Sequence, residues 1–133
     1  MLSRNHRLHR PADFTEVVRR GRRSSRPLLT IHCLLAPELL APELLGPEPA
    51  STPARAGLVV SKAVGDAVAR HLVSRRLRHL LRERITSLPG GARIVVRAAP
   101  ASGVATSAAL GLDLDAALAS VLRVAVPRRG RLS

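Results

Sequence analysis

Tryptophan and tyrosine are absent, and Phe14 is the single aromatic side chain in 133 residues. The core must therefore be Leu, Val, Ile and Ala, and an aromatic platform on which successive bases could stack is excluded. One cysteine, Cys33, excludes an internal disulfide and a Cys-based zinc cluster and fits a reducing, cytoplasmic setting. Only His32 stands beside it, so a small buried hydrophobe is the better reading than a nucleophile. No apolar run approaches the ~18–20 residues of a membrane span, and no apolar signal core opens the chain, so no membrane partner is expected. Acids are scarce too: nine Asp+Glu face 22 Lys+Arg, a net charge of +13. A compact state with that charge repels itself unless something anionic binds, so a polyanionic partner is implied. All but one of the bases are arginine, which together with abundant Ala, Gly and Pro reads as codon bias of a GC-rich genome.

The length suits one domain spanning 1–133, and 46% hydrophobic residues suffice for a core. Charge is uneven: +6 over residues 1–26, −3 over 27–54, +6 over 55–84 and +4 over 85–133. The acidic gap holds a tandem LLAPE, LLAPE, LLGPE repeat from Leu34 to Glu48. Its prolines break any helix or central strand, so residues 36–55 are expected to form a flexible loop, a product of repeat slippage without a function of its own.

Six elements are expected. Pro11 opens a helix over 11–20 with Phe14, Val17 and Val18 on one stripe and Gly21 as its stop. Strands over 28–35 and 56–62 flank the acidic loop and are expected to pair or lie side by side. A long helix runs from Asp66, its cap, to about Ile85, and Pro89-Gly90-Gly91 ends that region. A third strand covers 93–97. Asp113 is expected to cap a last helix carrying Leu114, Leu118, Val121, Leu122 and Ala125, followed by a frayed basic tail at 127–133. The order α-β-β-α-β-α predicts an α+β fold with helices packed mainly on one face of a central sheet.

On a helical wheel, Val73, Leu77, Leu80 and Leu81 share one arc of the long helix, and His71, Arg75, Arg78, His79 and Arg82 share the opposite one. Guanidinium groups one and two turns apart suit successive phosphates of a nucleic-acid backbone. A merely solvated face would carry acids at i+4 to neutralise it, yet Glu83 is the only acid after Asp66 in this helix. A membrane-surface helix is disfavoured because its apolar side is needed for the core.

The run Gly57-Leu58-Val59-Val60-Ser61-Lys62-Ala63-Val64-Gly65-Asp66-Ala67-Val68-Ala69-Arg70-His71-Leu72-Val73-Ser74-Arg75-Arg76-Leu77-Arg78 resembles the signature of the bacterial ribonuclease P protein component. In that family a strand ending Val-Ser-Lys leads through Gly-Asn-Ala into a helix reading Arg-Asn-Arg-Val-Lys-Arg-Arg-Leu-Arg. The opening Arg7-Leu8 through Asp13-Phe14 and Arg20-Gly21 is similar to the family's start, and the terminal Leu-rich helix fits its last element. Asp66 and His71 stand where the family has Asn, and Leu72 and Ser74 where it has bases. Arg70, Arg75, Arg76 and Arg78 match position for position.

What the resemblance implies is a small α+β domain with an unusual left-handed crossover that binds the catalytic RNA through Arg70, Arg75, Arg76 and Arg78; Arg82 of the basic arc and Lys62 before the helix are expected to bind RNA with them. It further implies that the 5′ leader of precursor tRNA lies in a cleft made by the sheet and the first helix. Phe14 is expected there, with Arg7, Arg10 and Lys62 supplying charge alongside it; core packing beside Val17 and Val18 is the other reading of this ring. The RNA, with its bound Mg²⁺, would cleave the phosphodiester.

Protein-only catalysis is not supported by the sequence. His6, His9, His32, His71 and His79 lack a helical H-x-x-x-H pairing. Asp13 and Glu16 read as charge balance among arginines rather than metal ligands. Gly90-Gly91 lacks the Lys-Ser/Thr of a phosphate loop. A ribosomal or nucleoid-type binding protein would share the charge and the arginine helix, and a DNA-binding module would need a helix–turn–helix that is not visible here.

Overall fold

The computed structural model describes residues 6–35 and 53–123, so the proline repeat at 36–52 and the basic tail lie outside the described residues. The last part of the expected loop is placed: Ala54 is buried and Arg55 already belongs to a strand. The elements are α1 (Pro11–Arg20), β1 (Arg22–Ser25), β2 (Leu29–Leu34), β3 (Arg55–Val59), α2 (Ala67–Arg84), β4 (Arg93–Ala98) and α3 (Ser107–Arg123). The sheet order is β1-β2-β4-β3, with β2 antiparallel to both β1 and β4 and β3 parallel to β4. Residues 6–8 run along the outer side of β3, where the Leu8 N–H donates to the Ala56 carbonyl at 3.0 Å.

Three expectations are corrected. Arg22-Arg23-Ser24-Ser25 has no apolar alternation, yet it forms an edge strand because β2 supplies its hydrogen-bond partners, from Arg22 opposite Cys33 to Ser25 opposite Thr30. The strands flanking the acidic loop do not pair, because β4 lies between them. Ile94, Val95 and Val96 are fully buried, and a strand apolar on both faces takes the centre of a sheet. The connection from β2 to β3 must therefore cross about 10 Å, two strand spacings. Finally, α3 starts at Ser107, six residues before Asp113. Thr106 caps it, its Oγ1 accepting the Ala109 N–H at 3.1 Å. Asp113 instead accepts the Leu28 N–H at 2.9 Å and faces Arg26 at 3.5 Å, pinning α3 to the start of β2.

The long helix forms as its pattern requires, with the Asp66 carboxylate accepting the Ala69 N–H at 2.9 Å. The strand before it ends at Val59, and Ser61 turns the chain into a single 3-10 turn at Lys62–Val64.

Alternation along the strands separates two apolar clusters. Leu29, Ile31, Cys33, Ile94 and Val96 face Val73, Leu77 and Leu81 of α2 and Leu110, Leu114 and Val121 of α3. Val95 points the other way and meets Val17 and Leu8, with Phe14, Val18, Leu34 and Val59 around them. Thus α2 and α3 cover one face and α1 alone covers part of the other.

An ion cluster fastens α1 to the sheet. Arg93 reaches Glu16 at 2.8 Å and Asp13 at 3.4 Å, and Glu16 also meets Arg20 at 3.0 Å. The Arg93 hydrogen bond, its charge and that of Arg20 hold the Glu16 carboxyl below its usual range.

Two glycines permit α1 to sit this close. A Cβ at Gly21 would lie 2.5 Å from the Val17 carbonyl oxygen and 2.7 Å from that of Cys33. At Gly57 it would lie 2.3 Å from the Phe14 ring. Gly57→Ala should therefore cost about 1–3 kcal/mol of stability by overpacking. In a Phe14→Ala background most of that cost should vanish. Urea unfolding of the four proteins in the cycle measures it; equal costs in both backgrounds would place the strain in the backbone instead.

Candidate RNA-binding surfaces

Helix α2 buries Val73, Leu77, Leu80 and Leu81, which directs its basic arc away from the sheet. His71, Arg75, His79 and Arg82 are exposed there, and Arg78 is half-buried. Arg76 is half-buried and donates from Nη1 to the Ala105 carbonyl at 2.6 Å, which fixes it at the junction with the segment leading into α3. Arg70 has a shielded Nε with no hydrogen-bond partner among the described residues. Lys62 is exposed in the 3-10 turn that precedes the helix. A shallow depression of about 450 Å³ is lined by His71, Arg75, Arg76, Arg78, His79 and Ser107.

The described acids are committed to groups other than the arginines of the arc. Asp13 and Glu16 hold Arg93, Asp66 caps α2, and Asp113 holds Arg26 and the Leu28 amide. Asp115 holds Arg84 at 2.6 Å, which raises the guanidinium's pKa and lowers that of the carboxyl. Glu83 meets Arg84 at 3.3 Å and His79 at 3.5 Å. Among the described residues no carboxylate pairs with Arg75, Arg78 or Arg82. Positive charge on this arc is therefore presented to solvent.

A second concave surface lies across the sheet, on the side of α1. It is a groove of about 660 Å³ lined by Val18, Gly21, Arg23, Thr30, His32, Arg97, Ala98 and Ala99. Strand register builds it: Arg23 lies opposite His32, and Thr30 opposite Arg97. His32 is only 7% exposed and its Nδ1 has no partner among the described residues. Burial first, then the Arg23 and Arg97 charges, pushes its pKa down and keeps the ring neutral.

Sequence reasoning did not pick Arg23, His32 and Arg97. Period-two alternation places Thr30 and His32 together, away from Leu29 and Ile31, but β1 had to be known before Arg23 could join them.

Phe14, expected against the leader, is half-buried with its ring on Gly57, in the cluster of Leu8, Val17 and Val95. It lies over β3, whereas the groove lies over β1, β2 and β4. Arg7 is exposed beside β3, and Arg10 is exposed at the N-cap of α1, one turn before Phe14. Lys62 lies beyond the end of β3 and not with this group.

Other chemistry finds little footing. Among the described residues no three His, Cys, Asp or Glu side chains gather as a metal site. Burial pushes the Cys33 thiol up to about 11, which makes it a poor nucleophile. No described helix is long and apolar enough to cross a membrane.

The chain matches the family model for ribonuclease P over residues 2–122. The ribonuclease P protein component of Streptomyces avermitilis is 51% identical over 124 residues, covering 92% of this chain and 96% of the relative. That of Salinispora tropica is 47% identical and covers 98% of this chain and 100% of the relative. Among solved structures, the ribonuclease P protein of Staphylococcus aureus superposes with a TM-score of 0.67 at 21% identity, covering 90% of this chain and 94% of that one. The Thermotoga maritima protein gives 0.63 at 19% identity, covering 89% and 96%. These structures share the fold, and the sequence relatives fix the lineage: the chain belongs to the ribonuclease P protein component family.

Proposed function

We propose that this chain acts in the cytoplasm as the protein subunit of ribonuclease P, holding the catalytic RNA on one face of its sheet and the 5′ leader of precursor tRNA on the other. The observation that carries this reading is the α2 arc, whose Arg75, Arg78 and Arg82 meet no carboxylate among the described residues. Arginines held on a folded helix offer phosphates a preformed row of donors, and each contact releases condensed counterions. Lys62 and Arg70 extend the row at the start of α2. Arg76 has one guanidinium nitrogen committed to Ala105 and offers its remaining donors. A ribosomal role finds no support beside the family match.

On the α1 side, Arg23 and Arg97 supply charge along the groove and Val18 and the neutral His32 supply apolar surface. Arg7, Arg10 and Phe14 form a second station for the leader over β3. Phosphodiester cleavage belongs to the RNA subunit in this reading. Asp13 and Glu16 are drawn to Arg93 and do not fit a Mg²⁺ site of the protein's own. Mg²⁺ is accordingly assigned to RNA phosphates, and the protein's part is electrostatic positioning of RNA and substrate.

Cleavage of precursor tRNA by the cognate catalytic RNA at low Mg²⁺ tests the assignment. The protein should stimulate it strongly, and absence of stimulation would refute the assignment. The arc is tested by changing Arg75, Arg78 and Arg82 together to Ala. The slope of log affinity against log salt for the catalytic RNA should flatten by roughly two to three, at about 0.7–0.9 per phosphate contact, with thermal stability nearly intact. An unchanged slope, or a variant that unfolds, would assign these arginines to structure.

A further inference from the structure

Two histidines share the depression at the junction of α2 and α3 with Arg75, Arg76, Arg78 and Ser107. Both are exposed, so neither serves the core. They lie eight residues apart on one face of a helix, about two turns or 12 Å along its axis. An RNA strand carries a phosphate at every nucleotide, so one strand following the arc would pass both rings.

We propose that His71 and His79 are phosphate donors of the RNA-binding surface and that RNA binding loads them with protons, making affinity for the catalytic RNA pH-dependent.

The proposal deepens the function given above and rests on α2 facing RNA. Its physical basis is the set of groups around each ring. On α2 itself these are Arg75, Arg76 and Arg78 in the wall of the depression and Glu83, 3.5 Å from His79. Of the elements packed against α2, the 3-10 turn before it carries Lys62, and α3 carries Asp113 and Asp115, which are held by Arg26 and Arg84. The 3-10 turn Pro100–Val104 and the first six residues of α3, from Ser107 to Leu112, hold no ionisable side chain, and the nearest wall residue is Ser107.

A phosphate entering the depression places a negative charge within a few ångströms of the rings, which stabilises the charged form. Imidazole is the side chain whose ordinary charge change falls between pH 5 and 8, so this stabilisation is felt near neutrality. Each ring that charges gains a charge-assisted N–H donor to a phosphate oxygen. Arg76, tied to Ala105, gives the depression one fixed wall, so the phosphate is met by a surface already in place.

The test measures affinity for the cognate catalytic RNA at constant ionic strength between pH 6 and pH 8. It compares the unaltered protein with a His71→Gln/His79→Gln variant, which keeps polar side chains that cannot charge, and with an Arg75→Ala/Arg78→Ala variant. The unaltered protein should bind roughly tenfold or more tightly at pH 6 than at pH 8, which corresponds to an average uptake of about half a proton or more across that range. The glutamine variant should show a much flatter profile while melting at the same temperature. Ring ¹⁵N chemical shifts of the two histidines should move toward the protonated form when RNA is added at pH 7.

A glutamine variant with the pH profile of the unaltered protein, or no pH dependence in either, would overturn the proposal. If the arginine variant nonetheless binds weakly at every pH, the RNA-facing reading of α2 survives that failure. If the arginine variant binds normally, the reading falls as well.

Discussion

Strand β4 is the constraint on which the two surfaces depend. Ile94 and Val96 point to one side and Val95 to the other, and all three are fully buried. A strand apolar on both faces must be covered on both, so the chain needs helices on each side of the sheet. The side of Ile94 and Val96 receives α2 and α3. The side of Val95 receives only α1, ten residues long, which seats Val17 on Val95 beside Leu34 and leaves β1, part of β2 and the end of β4 uncovered. The groove is what remains of that face once α1 is in place, and the arginine arc is the outer surface of a helix whose inner surface closes the opposite face. Separation of the two surfaces is a packing result before it is a functional one.

Charge follows the same geometry. A chain with +13 net charge has few carboxylates, and the fold uses most of those described at its joints. Arg93 to Asp13 and Glu16 fastens α1, Arg84 to Asp115 fastens α2 to α3, and Arg26 with the Leu28 amide to Asp113 fastens α3 to the sheet. Exposed ion pairs contribute little individually, but here their placement decides which arginines lose their charge to a neighbour. Those inside joints are neutralised and those on the α2 arc are not. An RNA backbone meeting that arc would replace the missing carboxylates with phosphates and so relieve repulsion among Arg75, Arg78 and Arg82.

The long helix was legible because the pattern persists over eighteen residues, with apolar and basic arcs opposed and an aspartate at the correct cap. The basic arc followed from that element, the α+β class from the order of elements, and the family resemblance from the run Gly57–Arg78 that leads into the helix. Strand β1 was illegible: an edge strand of Arg and Ser carries no apolar alternation, and its identity comes from β2's unsatisfied backbone groups. The start of α3 was misplaced because Asp113 is a good local cap, yet its carboxylate is spent on Leu28, 85 positions away in sequence. Strand order is likewise non-local. The groove followed these misses, since Arg23, His32 and Arg97 come from three strands whose neighbours had to be known first. Phe14 was correctly placed on the stripe of α1, but only the sheet's register shows that its ring rests on Gly57.

The central claim is that the α1 side of the sheet meets the leader while α2 independently meets the catalytic RNA. The most direct measurement is holoenzyme affinity for precursor tRNAs carrying leaders of one or of several nucleotides, with Arg23 and Arg97 intact or both changed to Ala. The substitution should weaken binding of the long-leader substrate by roughly tenfold, as loss of charge-assisted hydrogen bonds would. It should leave the short-leader substrate and the protein's affinity for the catalytic RNA nearly unchanged. Equal weakening for both substrates, or weakened assembly with the catalytic RNA, would contradict the division of labour between the two faces.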